Sequence, residues 1–144
     1  MNLQDIINEW TKDAVLDDLC LDVAALDISK LHAKYLSILS NARMKHKYLQ
    51  IKKRELVHEL RIYYSGRADQ LLLTKLNRLQ FQTRILRSEL DDHIDSDSAV
   101  IQLDASIMMH QEHVSVLDEI IKSLNARNYA IKSAIDWKKF IGGV

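Results

Sequence analysis

The sequence predicts an all-α protein, and three observations carry that reading. Its 144 residues contain no proline and only three glycines, so little interrupts a helix from within. Leu, Ile, Ala, Lys, Asp and Gln are abundant. Apolar residues recur at three- and four-residue spacing along most of the chain. A high charged fraction combined with such a repeat resembles coiled-coil composition. Long helices in so small a chain have a thin core and are expected to bury their apolar stripes against partner subunits. The expected architecture is a long antiparallel helical hairpin followed by a C-terminal oligomerisation helix. Residues 1–90 form an N-terminal helical region, 91–98 an acidic linker and 99–144 the C-terminal region.

Leu3, Ile6, Ile7, Trp10 and Ala14 share one helical stripe, and Asp5 and Glu9 near its start suit the helix dipole. Trp10 is read as a packing anchor of that first helix. Residues 15–27 mix acids with apolar side chains and read as a connector, or as a patch for a basic partner. The lone Cys20 lies among Leu19, Leu21 and Val23 and is expected to be a buried small hydrophobe. A single cysteine excludes an intramolecular disulfide and fits a reducing compartment.

A long helix is predicted to begin near Asp27 to Ser29, either of which can cap it. Steps of seven from Ile28 reach Tyr35, Ala42, Leu49, Leu56 and Tyr63. The companion seam, Leu31, Ile38, Lys45, Lys52 and Glu59, turns from apolar to charged, so the second half of the helix should present charge outward. Ser65-Gly66-Arg67 ends it, because Gly66 can adopt the left-handed conformation that closes a helix. A second helix is expected from Ala68, carrying Leu71, Leu72, Leu76, Leu79, Ile85, Leu86 and Leu90 as the other arm of the hairpin. Ser96 or Asp97 then caps a final helical region running from Ala99 to Phe140, interrupted near Asn125 to Asn128. Its stripe supplies the expected oligomerisation contacts: Val114, Leu117, Ile121, Leu124, Tyr129, Ile131, Ile135 and Phe140.

The net charge is zero, but it is segregated. Between Lys30 and Arg87 stand fourteen basic residues and three acids, an excess of eleven. The segments on either side carry net charges of −6 and −5. Such polarity points to a polyanion-binding surface, or to a solvated helix face that pairs with acidic segments of neighbouring subunits. The cations nominated for a nucleic-acid track are Arg43, Lys45, Lys47, Lys52, Lys53, Arg54, Arg61 and Arg67. Phosphates beside them would release counterions and bind in a salt-dependent way. Tyr48, Tyr63 and Tyr64 lie close by, either for stacking on unpaired bases or for packing in the core.

Chemistry is excluded more firmly than binding. The Gly66 loop lacks the Gly-rich spacing and the Gly-Lys-Ser/Thr ending of a phosphate loop. The acidic stretch 91–98 lacks the calcium-loop spacing and its glycine. His110-Gln111-Glu112-His113 matches neither zinc-protease pattern and has no third ligand. No catalytic residue, cofactor or metal is therefore expected, and the chain is not read as an enzyme. No secretory leader or membrane span is recognisable, so a soluble cytosolic protein is expected.

Four stretches in order resemble the UvsY recombination mediator proteins of large tailed myophages. They are Leu3-Gln4-Asp5-Ile6 with Lys12-Asp13; the basic helix running into Tyr63-Tyr64-Ser65-Gly66-Arg67; the acidic linker; and Arg127-Asn128-Tyr129-Ala130-Ile131-Lys132 followed by Phe140 and Gly142. The resemblance covers almost the whole chain. It implies a ring-shaped homo-oligomer of six or seven subunits that binds single-stranded DNA. Such a ring helps load a RecA-like phage recombinase onto DNA coated by the phage single-strand binding protein, in the cytoplasm of the infected bacterial host. The family carries a Leu-Lys-Ala-Arg-Leu motif where this chain reads Val57-His58-Glu59-Leu60-Arg61. His58 replaces the lysine and joins the DNA-binding candidates, while Leu60 replaces the arginine. Lys52, Lys53, Arg54 and Arg61 are expected to substitute, since phosphate contacts need charge more than register. Rival readings are an adaptor coiled coil without nucleic acid and a duplex-DNA architectural protein.

Overall fold

The structure is a computed structural model that describes residues 1–143. Its elements are α1 (Leu3–Asp13), α2 (Leu21–Tyr64), α3 (Gln70–Leu76), a 3-10 turn (Arg87–Glu89), α4 (Leu90–Asp95) and α5 (Ser98–Ile141). Among the described residues there is no strand. The chain packs as two compact units, residues 1–44 with 110–144, and residues 45–109; α2 and α5 contribute to both.

In the first unit, α1 opens with a reciprocal cap. The Asn2 side chain accepts from the Asp5 N–H at 2.8 Å, and the Asp5 carboxylate accepts from the Asn2 N–H at 3.0 Å. Ile6 then packs on Tyr35, Leu39 and Ala42 of α2 and on Val114, Leu117, Ile120 and Leu124 of α5. Further toward the start of α2, Leu21 and Ile28 meet Ile131. Numbers that fall along α2 meet numbers that rise along α5, so the two helices run antiparallel here. Trp10 sits edge-on to Tyr35, with ring centroids 5.5 Å apart, which is the packing role expected of it. Lys34 bridges Glu9 at 3.0 Å and Asp13 at 2.6 Å, and the Tyr35 hydroxyl donates to Asp13 at 2.8 Å. Burial pushes the Asp13 carboxyl up, but the bonds from Lys34 and Tyr35 outweigh it and hold the group below its ordinary value. Arg127, buried on α5, donates to the carbonyls of Asp13 and Ala14 at 3.0 and 2.8 Å. A cation thereby satisfies orphan acceptors at the C-terminal end of α1.

Three expectations are corrected in this unit. α2 begins at Leu21, and Asp27 and Ser29 lie inside it. Leu21, Ala24 and Ile28 form a stripe covered by Ile131, Ala134 and Ile135, and that burial carries the helix past the candidate caps. Cys20 is exposed, because it ends the turn in which its N–H donates to the Asp17 carbonyl at 3.1 Å. α5 continues unbroken through Asn125 to Asn128, since Leu124, Arg127 and Ile131 keep helical spacing and are all buried.

The second unit is built around Leu60, Tyr63, Leu73, Ile94 and Val100. α2 ends as expected. Gly66, at φ +78°, donates to the Tyr63 carbonyl, and Arg67 donates to the Ile62 carbonyl at 3.2 Å. The expected second helix is cut short. α3 stops at Leu76, where Asn77 turns left-handed at φ 53° and the Arg78 N–H reaches the Leu73 carbonyl at 3.0 Å. Residues 77–86 then run without regular structure. Two tertiary contacts hold them: Arg78 binds Asp97, and Phe81 packs on Tyr64 with centroids 4.9 Å apart. Leu79 and Leu86 remain exposed, so the leucine run is not a single stripe. The hairpin exists, but its second arm is α5: Lys53 pairs with Asp104 at 2.7 Å, and Leu60 shares a core with Val100. Within residues 91–98, α4 occupies the first part, and the Asp97 carboxylate caps α5 by accepting from the Ala99 N–H at 2.9 Å.

Candidate nucleic-acid interface

Spacing sorts most of the cations of α2 within the second unit into two rows. Lys47, Arg54, His58 and Arg61 follow one another at seven, four and three residues and so share one side of the helix; all four are exposed. Lys45 and Lys52 lie seven apart on another side, with Tyr48 between them. Tyr48 is 55% exposed, and the Lys52 Nζ stands 5.4 Å from its ring centre. Lys53 belongs to neither row and stands on a third side, so the cations fall around most of the helix rather than along a single line.

Folding brings acids to part of this charge. Lys53 meets Asp104 at 2.7 Å and Arg61 meets Asp91 at 3.1 Å. Lys52 lies 3.9 Å from Glu55, too far for a hydrogen bond. In the other unit Arg43 pairs with Asp118 at 2.9 Å. Arg67 donates from Nε to the Ser65 hydroxyl at 3.1 Å. Lys45, Lys47 and Arg54 have no ion-pair partner among the described residues. Exposed pairs of this kind are worth at most about 1 kcal/mol, so a phosphate can compete for the paired cations, while the unpaired three stand ready for it.

Tyr63 and Tyr64 are packed inside the unit. Tyr63 is 9% exposed and lies under the Arg78 guanidinium at 5.2 Å. The Tyr64 hydroxyl donates to Asp97 Oδ2 at 2.6 Å. Arg78 grips the same carboxylate with two bonds, of 2.6 and 2.8 Å. These bonds, against an opposing push from burial, bring the Asp97 carboxyl down to about 2. Burial, and then the hydrogen bond to the Asp97 carboxylate and its charge, push the Tyr64 hydroxyl up to about 12, so it remains a donor. Sequence reasoning missed this Arg78–Asp97–Tyr64 cluster, because its members are far apart in the chain. Leu60, at the position of the family's arginine, is fully buried, whereas His58 faces solvent.

The C-terminal candidates separate in the same way. Val114, Leu117, Leu124 and Ile131 are covered by the chain's own helices. Ile121 and Ile135 are partly buried beside them. Tyr129 and Phe140 are exposed, as is Trp137, which stacks on Phe140 with centroids 5.6 Å apart. Trp137 was not among the nominated residues, although its three-residue spacing from Phe140 marks a shared face. Among the described residues no group of three or more His, Cys, Asp or Glu is placed to hold a metal ion. No helix among them is long and apolar enough to cross a membrane.

Fold and surface together define an all-helical protein in which two long helices pair antiparallel within each unit and one carries exposed, partly unpaired cations. A family model described as "Recombination, repair and ssDNA binding protein UvsY" matches residues 9–144. The chain belongs to the UvsY family. The recombination protein uvsY of Enterobacteria phage T4 is 24% identical over 143 residues, covering 99% of each chain. Crystal structures of the bacteriophage T4 recombination mediator protein UvsY share the fold. One matches with a TM-score of 0.84 at 23% identity, covering 99% of this chain and 98% of that one. Another lattice form matches with a TM-score of 0.85 at 23% identity, covering 97% and 99%.

Proposed function

We propose that this chain is a recombination mediator. It binds single-stranded DNA and helps a RecA-like recombinase assemble on DNA covered by a single-strand binding protein. Membership of the UvsY family supports this reading, and the observation that carries it on this surface is the unpaired set Lys45, Lys47 and Arg54 on the exposed part of α2. Lys52, Arg61 and Arg67 extend the track, with His58 adding charge at mildly acidic pH. A paired cation such as Lys53 joins by exchanging its carboxylate for a phosphate. Phosphate contacts of this kind hold a strand by charge and leave its bases readable by a recombinase.

The chain works as a homo-oligomer in the same reading, a ring of six or seven copies. The exposed Tyr129, Trp137 and Phe140 are the apolar groups left on the C-terminal helix for contact between copies. Multiplying a modest track around a ring raises affinity through effective concentration. The test is recombinase assembly on single-stranded DNA pre-coated with single-strand binding protein, followed by the recombinase's DNA-dependent ATP hydrolysis. Adding this chain should shorten the lag before steady hydrolysis. An unchanged lag, with DNA binding intact, overturns the mediator role.

A further inference from the structure

The irregular segment after Asn77 leaves a cavity of about 750 Å³ against the C-terminal end of α2, wholly inside the second unit. Four arginines line it: Arg61 and Arg67 from the end of α2 and its loop, and Arg84 and Arg87 from the segment opposite. No Asp or Glu is among its lining residues. Arg61 has the Asp91 carboxylate at 3.1 Å, and Arg67 has the Ser65 hydroxyl. Arg84 and Arg87 are exposed and have no partner among the described residues. The remaining wall is mixed: Phe81, Ile85 and Leu86 give it an apolar side, and Ser65, Gln82 and Thr83 a polar one. Gln80 ties this segment to the loop after α2, its side-chain amide donating to the Gly66 carbonyl at 2.9 Å.

Arg67, Arg84 and Arg87 have no carboxylate partner and Arg61 has one, so the hollow keeps a net positive charge that an anion would relieve. Guanidinium groups suit phosphate oxygens because they offer paired, planar donors. The volume falls within the roughly 300–1,000 Å³ typical of small-ligand sites. A single strand can place a phosphate and an unstacked base in the hollow; an intact duplex, with its bases paired and stacked inside the helix, can offer it only backbone phosphate.

We propose that this cavity seats one unstacked nucleotide of a single strand, with its phosphate on Arg84, Arg87 and Arg67 and its base against Phe81 and Leu86. The proposal rests on the reading that the chain binds single-stranded DNA; the cavity shares Arg61 and Arg67 with the α2 track and adds Arg84, Arg87 and a seat for a base beyond it. It supplies strand discrimination, which charge along an open helix face does not.

The experiment measures binding of labelled oligo-dT and of a duplex of equal length to the full chain across a salt series. It compares wild type, an Arg84→Ala/Arg87→Ala variant and a Lys122→Ala/Lys132→Ala variant. The last removes the same charge outside the cavity and the α2 rows, and circular dichroism confirms equal helicity in all three. The arginine variant is expected to lose single-strand affinity about tenfold or more. Its slope of log K against log salt should flatten by about 1.4, at about 0.7 for each lost phosphate contact. Its duplex affinity and the lysine variant's single-strand affinity should stay within about twofold of wild type. An unchanged slope and single-strand affinity overturns the cavity proposal alone, as does an equal loss for duplex, which would make the arginines open surface charge. Failure of the wild type to bind oligo-dT overturns the underlying reading as well.

Discussion

Replacing Asp97 with asparagine preserves the shape of the side chain and removes the charge on which the second unit is tied. Four hydrogen bonds converge on this carboxylate: two from Arg78, one from the Tyr64 hydroxyl and one from the Ala99 N–H. The side chain is 2% exposed. Its carboxyl is lowered from 3.8 to about 2, which at 1.36 kcal/mol per unit is about 2 kcal/mol of stability. Because the folded-state value is depressed, that stability is fully present above 3.8 and is lost as pH falls through about 2. The asparagine amide would also turn one Arg78-facing acceptor into a donor, so the whole cost at pH 7 is about 3 kcal/mol. Urea unfolding at fixed protein concentration, run at pH 7, 5, 3 and 2, reads both quantities. The gap between wild type and D97N should be about 3 kcal/mol at pH 7 and should shrink by about 2 kcal/mol by pH 2. Equal midpoints at pH 7, or a gap that survives undiminished at pH 2, would refute the assignment.

Gly66→Ala should cost about 1 kcal/mol and a few degrees in Tm by calorimetry, because the penalty comes from φ +78° alone. A Cβ there would stand 4.0 Å from the Phe81 carbonyl oxygen, an ordinary contact, so a loss several times larger would show that the geometry is wrong. Cys20 should react to completion with a maleimide in the native protein, since it is exposed. The Asp17 charge beside it raises the thiol's pKa, so labelling near pH 7 should be slower than for a free thiol. A requirement for denaturant would restore the buried-cysteine reading.

The helical class was legible because its signal is local. The absence of proline and the sevenfold recurrence through Tyr35 and Ala42 act within a few turns, and both residues are indeed buried. The leucine run from Leu71 to Leu90 misled because it has frequency without register. What stops α3 is a left-handed Asn77 followed by Arg78, whose partner Asp97 lies 19 residues further on. The basic segment was equally plain as a count, but its free charge was not. Asp91, Asp104 and Asp118, which neutralise Arg61, Lys53 and Arg43, come from distant parts of the chain and meet their partners only through the antiparallel pairing of α2 with α5 and the packing of α4. Cys20 shows the same limit: apolar neighbours in sequence do not bury a residue that ends a turn.

The most direct test of the account is the salt dependence of oligo-dT binding by fluorescence anisotropy, with unlabelled duplex as competitor. Wild type is compared with a Lys45→Ala/Lys47→Ala/Arg54→Ala variant. The account predicts tight binding at low salt that falls steeply as salt rises and resists duplex. In the variant, the slope should flatten by about 2, at about 0.7 for each of three lost phosphate contacts. No binding by the wild type at low salt would contradict it and leave the basic rows of α2 to be explained by pairing between copies of the chain.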